Sequence, residues 1–267
     1  MRVAPYRYLP PGRPLRVMIP KNTETGLSRN LSPSQIFETN ISGLRIFQPV
    51  EGWRFSDDAV FLSEFVIQII RKVEKEAEGR SKNIERKDDV KFCIDIGAGC
   101  GIITLLLARE LKNCRFFAID IDKLMANLSY LNFRNNRVRA FSICGDIRFY
   151  PFRHESFDII VSNPPYIPPD EGKKSDKYAI AKWEITLDLR TLADVSSRLL
   201  KDRGFVFVVY PSYRLGEVLS NFFKFGLKPV FIRFFHHSFG KSSDFFALAC
   251  QKGVKHKLEV LPPFFKK

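Results

Sequence analysis

From residue 90 onward, short apolar runs alternate with stretches of helical spacing, and this alternation limits the fold of the 267-residue chain more than any other feature. The pattern predicts strands over Val90–Ile96, Arg115–Ile119, Val138–Ile143, Phe157–Val161 and Phe205–Val209. It predicts helices over 102–112, 122–136, 184–201 and 212–224. Strands that alternate strictly with helices pair in parallel, because each crossover helix packs back onto the sheet and both faces become covered. Two further strands, 227–234 and 245–250, are joined by the link 236–243. That link is too short for a crossover, so the sheet should end in an antiparallel hairpin.

Upstream of the alternation the chain reads differently. Residues 1–35 are proline-rich and carry six basic residues against the single Glu24, which suggests a basic arm with little regular structure. Residues 36–267 are expected to form one domain. Within it, residues 44–78 should supply a hairpin and a helix ahead of the sheet. Leu44–Phe47 and Trp53–Phe55 flank Pro49 and Gly52 and suggest the hairpin. Ser56, followed by Asp57 and Asp58, reads as a helix start, with Val60, Phe61, Phe65, Val66, Ile69, Ile70 and Val73 on one face. The charge-dense stretch 75–89 reads as a solvated loop.

Composition narrows the function classes. A formal charge of +14 points to a polyanionic partner, most often nucleic acid. Basic clusters recur along the chain: Arg134, Arg137, Arg139, Arg148 and Arg153 around the third strand, then Lys173, Lys174, Lys177 and Lys182, then Lys252, Lys255, Lys257, Lys266 and Lys267. The five cysteines are scattered and contain no C-x-x-C pair, which disfavours a disulfide framework or zinc site and suits a reducing cytoplasm. The four histidines lack ligand spacing, so no metal is expected. With no apolar run of 18 residues and no apolar segment behind the first residues, neither a membrane span nor a signal peptide is expected. A monomer is favoured.

The chemistry is concentrated at the predicted strand ends. The first strand runs into Asp95-Ile96-Gly97-Ala98-Gly99-Cys100-Gly101. Its glycines permit a tight turn and close approach of a ligand, and the following helix offers free N–H groups. The third glycine comes one residue earlier than in the dinucleotide pattern G-x-G-x-x-G. The second strand ends in Asp120, placed to accept both hydroxyls of a ribose, with Asp122 as its near competitor. The third strand leads to Gly145-Asp146, and the fourth to Asn163-Pro164-Pro165-Tyr166.

This layout resembles the α/β, Rossmann-like class I methyltransferase fold, with a mostly parallel seven-stranded sheet ending in an antiparallel hairpin. The resemblance implies S-adenosylmethionine as cofactor. Asp95, Gly97, Ala98, Gly99 and Gly101 would form the loop beside its methionine part, Asp120 would hold the ribose and Asp146 the adenine amine. Asn163-Pro164-Pro165-Tyr166 is similar to the catalytic tetrad of enzymes that methylate planar amines: adenine N6, cytosine N4 or a glutamine amide. An exocyclic amine is a weak nucleophile because its lone pair is delocalised. The Asn163 oxygen and the Pro164 carbonyl would accept its hydrogens, the prolines would fix the backbone, and Tyr166 would stack on the flipped base.

A narrower resemblance rests on Gln48-Pro49-x4-Arg54-Phe55-Ser56-x-Asp58-Ala59-Val60-x-Leu62, on Ala179-Ile180-Ala181-x2-Glu184 and on Leu261-Pro262-Pro263. These segments are similar to bacterial tRNA(Val) adenine-37 N6-methyltransferases. The resemblance implies a tRNA substrate and a part for Phe55 and Ser56 in closing the cofactor pocket. The alternatives are a glutamine N5-methyltransferase acting on a protein such as a release factor, a DNA adenine methyltransferase, and a non-catalytic RNA-binding protein.

Overall fold

A computed structural model of the chain describes residues 36–51, 54–80, 90–166 and 187–266. The basic arm and the lysine-rich segment after the tetrad, with its Ala179–Glu184 signature, lie outside the described residues.

The chain opens on a hairpin of β1 (Ile36–Ile41) and β2 (Leu44–Pro49). The turn is Ser42-Gly43, and both residues have positive φ (51° and 82°). That is the two-residue geometry whose twist matches the flanking strands. Asn40 Oδ1 accepts from Gly43 N at 3.0 Å. The hairpin therefore precedes the position expected from Pro49 and Gly52: Leu44–Phe47 is a strand, but its partner is the upstream Ile36–Ile41, and Trp53 lies outside the described residues.

Helix α1 (Asp57–Arg80) follows. It runs past residue 75, where a solvated loop was expected, because Lys75-Glu76-Ala77-Glu78 are strong helix formers whatever their charge. The alternating region then gives β3 (Lys91–Ile96), α2 (Ile102–Glu110), β4 (Cys114–Asp120), α3 (Lys123–Asn135), β5 (Ala140–Cys144), β6 (Phe157–Ser162), α4 (Leu189–Leu199), β7 (Leu200–Pro211), α5 (Leu215–Lys224), β8 (Leu227–His236) and β9 (Ser243–Lys252). Helix α4 begins at Leu189, later than the expected 184, and α5 is preceded by one 3-10 turn at Ser212–Arg214.

These seven strands stand in the order β8-β9-β7-β6-β3-β4-β5. Neighbours from β7 to β5 pair in parallel, and β9 is antiparallel to both β7 and β8. Two short pieces, β10 (Glu259–Val260) and β11 (Phe264–Phe265), add to the outer edge of β8, so the sheet is wider than the seven strands expected.

Both faces are buried, which is why the strands read as continuous apolar runs. On β7, Phe205, Phe207 and Val209 face one core with α1, α2 and α3, whereas Val206, Val208 and Tyr210 face the other with α4 and α5. The order reverses beside β3, so the loops after β3 and β6 part there and open a cleft at the carboxyl ends of the strands.

Candidate active site

The cleft floor is the glycine loop between β3 and α2. Gly97 N and Ala98 N donate to Ile119 O at 2.9 and 3.1 Å, and Gly101 N donates to Ala98 O at 2.9 Å, which curls the loop over β4. Gly97, Gly99 and Gly101 all have positive φ. A Cβ on Gly97 or Gly99 would meet nothing within 4 Å, so both face open space; a Cβ on Gly101 would sit 2.7 Å from the Phe133 ring and 2.9 Å from Ser129 Cβ. The third glycine thus lets α2 pack on α3, and it does not line the cleft.

Asp95 lies beneath the loop, 1% exposed, and accepts from Thr104 Oγ1 at 2.9 Å through Oδ2, while Oδ1 is buried without a partner. Burial pushes its carboxyl up to about 7. Asp120, at the tip of β4, accepts from Gly99 N at 2.7 Å and from Asp122 N at 2.9 Å, one bond on each oxygen. Asp120 lines the cleft, and each of its oxygens can accept one further bond. Burial raises this carboxyl above its ordinary value. Asp122 serves as the N-cap of α3, accepting from Leu124 N and Met125 N. Asp146 follows β5. Its two oxygens are 2.9 Å from Arg148 Nε, and the guanidinium holds the carboxyl below its ordinary value.

The tetrad leaves β6 beside the glycine loop. Ser162 Oγ donates to Ile96 O at 2.7 Å and so ties the ends of β6 and β3 together. Asn163 lines the cleft, and its side-chain Oδ1 is buried without a hydrogen-bond partner. Pro165 lines it as well, and Pro164 is buried. Tyr166 turns aside: its ring meets Phe245 edge-on at 5.9 Å, and burial pushes its hydroxyl up to about 12. Phe55 forms part of the cleft wall with Glu51 and Ala59. Ser56 stands behind, its hydroxyl donating to Asp58 Oδ1 at 2.5 Å and not capping a backbone N–H.

Of the residues singled out from the sequence, the structure brings Phe55, Gly97, Ala98, Gly99, Asp120, Asp122, Asp146, Asn163 and Pro165 around one cleft; Ser56, Asp95, Gly101, Pro164 and Tyr166 do not line it. Three supporting residues were not anticipated. Asn132, fully buried on α3, donates to Cys100 O at 2.8 Å and to Phe47 O at 3.0 Å, and accepts from Phe47 N at 2.7 Å. Asn136, one turn on, clasps Arg45 N and O in the same manner at 3.0 and 2.7 Å. Arg214, 4% exposed, donates to Tyr166 O at 3.1 Å while paired to Glu217. Polar residues buried on an otherwise amphipathic helix were the only signal available for Asn132.

Glycine backbone, two carboxylates on adjacent strand ends and an unfilled amide acceptor thus face one space, an arrangement that suits a ligand with hydroxyl and amine donors. Among the described residues, no group of three His, Cys, Asp or Glu side chains could hold a metal, and no helix is long and apolar enough to cross a membrane.

Residues 93–175 match the family model "Methyltransferase domain". By sequence the chain is related to the tRNA1(Val) (adenine(37)-N6)-methyltransferase of Haemophilus influenzae (strain 86-028NP), 32% identical over 141 residues, covering 49% of this chain and 59% of that protein. It is similarly related to the enzyme of that name from Porphyromonas gingivalis (strain ATCC BAA-308 / W83), 31% identical over 134 residues, 48% of this chain and 52% of that one. The chain thus spans little more than half the length of these curated relatives. Among solved structures it is similar to M. jannaschii TYW2 in complex with AdoMet, with TM-score 0.53, 15% identity and coverage of 82% and 85%. It is also similar to a putative class I S-adenosylmethionine-dependent methyltransferase from Listeria monocytogenes, with TM-score 0.53, 18% identity and coverage of 78% and 64%. The fold is that of the class I methyltransferases.

Proposed function

We propose that this protein transfers a methyl group from S-adenosylmethionine to the exocyclic N6 of an adenine in tRNA, at the position beside the anticodon. The observation that carries the reading is the Asn163 side-chain oxygen, buried and without a partner at the cleft. A buried acceptor left unmade costs about 1–3 kcal/mol. That cost is recovered when a ligand amine donates to it.

The residues present fit the cofactor. Gly97 and Gly99 leave open the space that any side chain there would occupy, Asp120 keeps a lone pair on each oxygen for ribose hydroxyls, and Asp146 lines the same cleft with both its oxygens held by Arg148. The cofactor supplies a methyl group already activated by the sulfonium, so no strong base is needed. The chain then has three tasks. Asn163 accepts a hydrogen of the target amine and draws its lone pair out of conjugation. The Ser162–Ile96 bond holds Asn163 against the glycine loop. Arg214, through the Tyr166 carbonyl, fixes the exit of the tetrad. Catalysis of this kind is mostly positioning, an effect that reaches about 7–11 kcal/mol in ideal cases.

The relatives' printed name supplies the acceptor, and the +14 charge agrees with a polyanionic one. The five cysteines, all unpaired, agree with a reducing cytoplasm. The experiment is methyl transfer from labelled cofactor to unmodified tRNA, a release factor and duplex DNA, with wild type and Asn163→Ala. Label is expected in tRNA, recovered as N6-methyladenosine. The variant should keep its cofactor dissociation constant and lose turnover by about 100-fold or more, the scale of deleting one preorganised hydrogen-bonding group. Label in the release factor or the duplex instead, or full turnover by the variant, overturns the reading.

A further inference from the structure

The structure sorts the basic residues into two kinds. Several cations of the third-strand and tail clusters are already engaged. Arg148 pairs with Asp146, Lys252 with Glu155 and two carbonyls, and Lys266 with Asp57; Lys72, on α1, pairs with Glu259. Arg134, Arg137 and Arg139 differ. They fall within six residues at the corner between α3 and β5, and all three are exposed. Among the described residues none of them forms an ion pair, and the Arg137 and Arg139 side chains make no hydrogen bond. Arg134 reaches only Tyr130, 3.2 Å from the hydroxyl and 5.9 Å from the ring centroid. The three arginines line an open concavity of about 290 Å³ together with Tyr130, Phe133, Val138 and Ala140.

Backbone hydrogen bonds tie the corner. Asn136 N donates to Asn132 O, Arg137 N to Arg134 O and Val138 N to Phe133 O, and Arg137 takes the left-handed conformation (φ 55°) that ends the helix. Three exposed guanidinium groups thus stand at one corner with no acidic partner among the described residues. Clustered like charge of this kind favours an anion. The planar fork of arginine matches phosphate with two parallel hydrogen bonds. Strand β5 runs from this corner to Cys144, where Gly145 and Asp146 enter the cleft. Five residues of strand span about 17 Å, so the hollow lies at the far end of the strand from the methyl-transfer site.

We propose that Arg134, Arg137 and Arg139 form a second anchoring site, one that grips the phosphodiester backbone of the RNA substrate away from the target base. The proposal rests on the reading of tRNA as substrate. It assigns these arginines a share of affinity and none of the chemistry.

The test replaces all three with alanine, and in a second variant with lysine, and titrates an unmodified tRNA transcript at several salt concentrations. For the alanine variant the dissociation constant should rise about tenfold or more. The slope of log K against log salt should flatten by about 2 or more, at about 0.9 for each phosphate no longer neutralised. KM for tRNA should rise, while kcat at saturating tRNA and the cofactor dissociation constant stay unchanged. The lysine variant should keep most of the slope. An alanine variant with wild-type slope and affinity overturns the site, and so does a lysine variant that fails as badly as alanine, which would mark the arginines as structural. Wild type that neither binds nor methylates tRNA overturns the substrate reading itself, an outcome distinct from both.

Discussion

Asp95 shows how the site is tuned one residue at a time. Its carboxyl is 1% exposed, has a single donor in Thr104, and keeps its proton up to about pH 7, against an ordinary value of 3.8. The folded chain therefore binds a proton that the unfolded chain has released. Stability from this group is full below about pH 4, declines as pH rises toward 7, and stays low above it. Asp95→Asn keeps the shape and removes the titration. In urea unfolding at pH 5 and pH 8, the variant should gain stability relative to wild type at the higher pH. An equal difference at both would mean Asp95 does not titrate there. The glycine loop, Asp120, Asp146 and Asn163 could be read from sequence because each sits in a contiguous motif at a strand end. Asn132 and Arg214 could not, because their partners Phe47 and Tyr166 lie 85 and 48 residues away and only the folded chain brings them together.

At the scale of elements, the glycines of one loop divide their labour. Gly101→Ala forces a Cβ at positive φ into Phe133 and Ser129 and should cost roughly 2–4 kcal/mol of stability. Gly97→Ala carries the backbone strain without the collision, so it should cost less stability and more cofactor affinity. Thermal unfolding together with cofactor titration separates the two; the same pattern for both variants would mean the loop acts as a unit. Element order was legible because period and glycine punctuation change together at each strand end. The first hairpin turns earlier than Pro49 and Gly52 suggest, because Ser42-Gly43 supplies the left-handed pair that a two-residue connection needs. Helix α1 ran longer than expected because dense charge was read as loop, although glutamate, lysine and alanine favour a solvated helix. The strand pieces β10 and β11 are two residues each, too short to leave a periodic signal.

For the whole molecule, the +14 charge predicts how affinity for a polyanion depends on salt. If the substrate is tRNA, its affinity should fall steeply, roughly 10³-fold or more from about 50 to about 200 mM salt, as counterions displaced from several neutralised phosphates return. Cofactor affinity should barely move over the same range. A flat tRNA response would remove the electrostatic basis of recognition. The asparagine clasp between α3 and β2 bears on association of another kind. Four helical residues rise about 6 Å, and two strand residues advance about 6.6 Å. Asparagines four apart can therefore meet peptide groups two apart, as Asn132 and Asn136 meet Phe47 and Arg45. The helix stands in for a third strand. It covers two donors and two acceptors on an edge that would otherwise template pairing with another chain, so the clasp that bonds the glycine loop at Cys100 also closes that edge to strand addition.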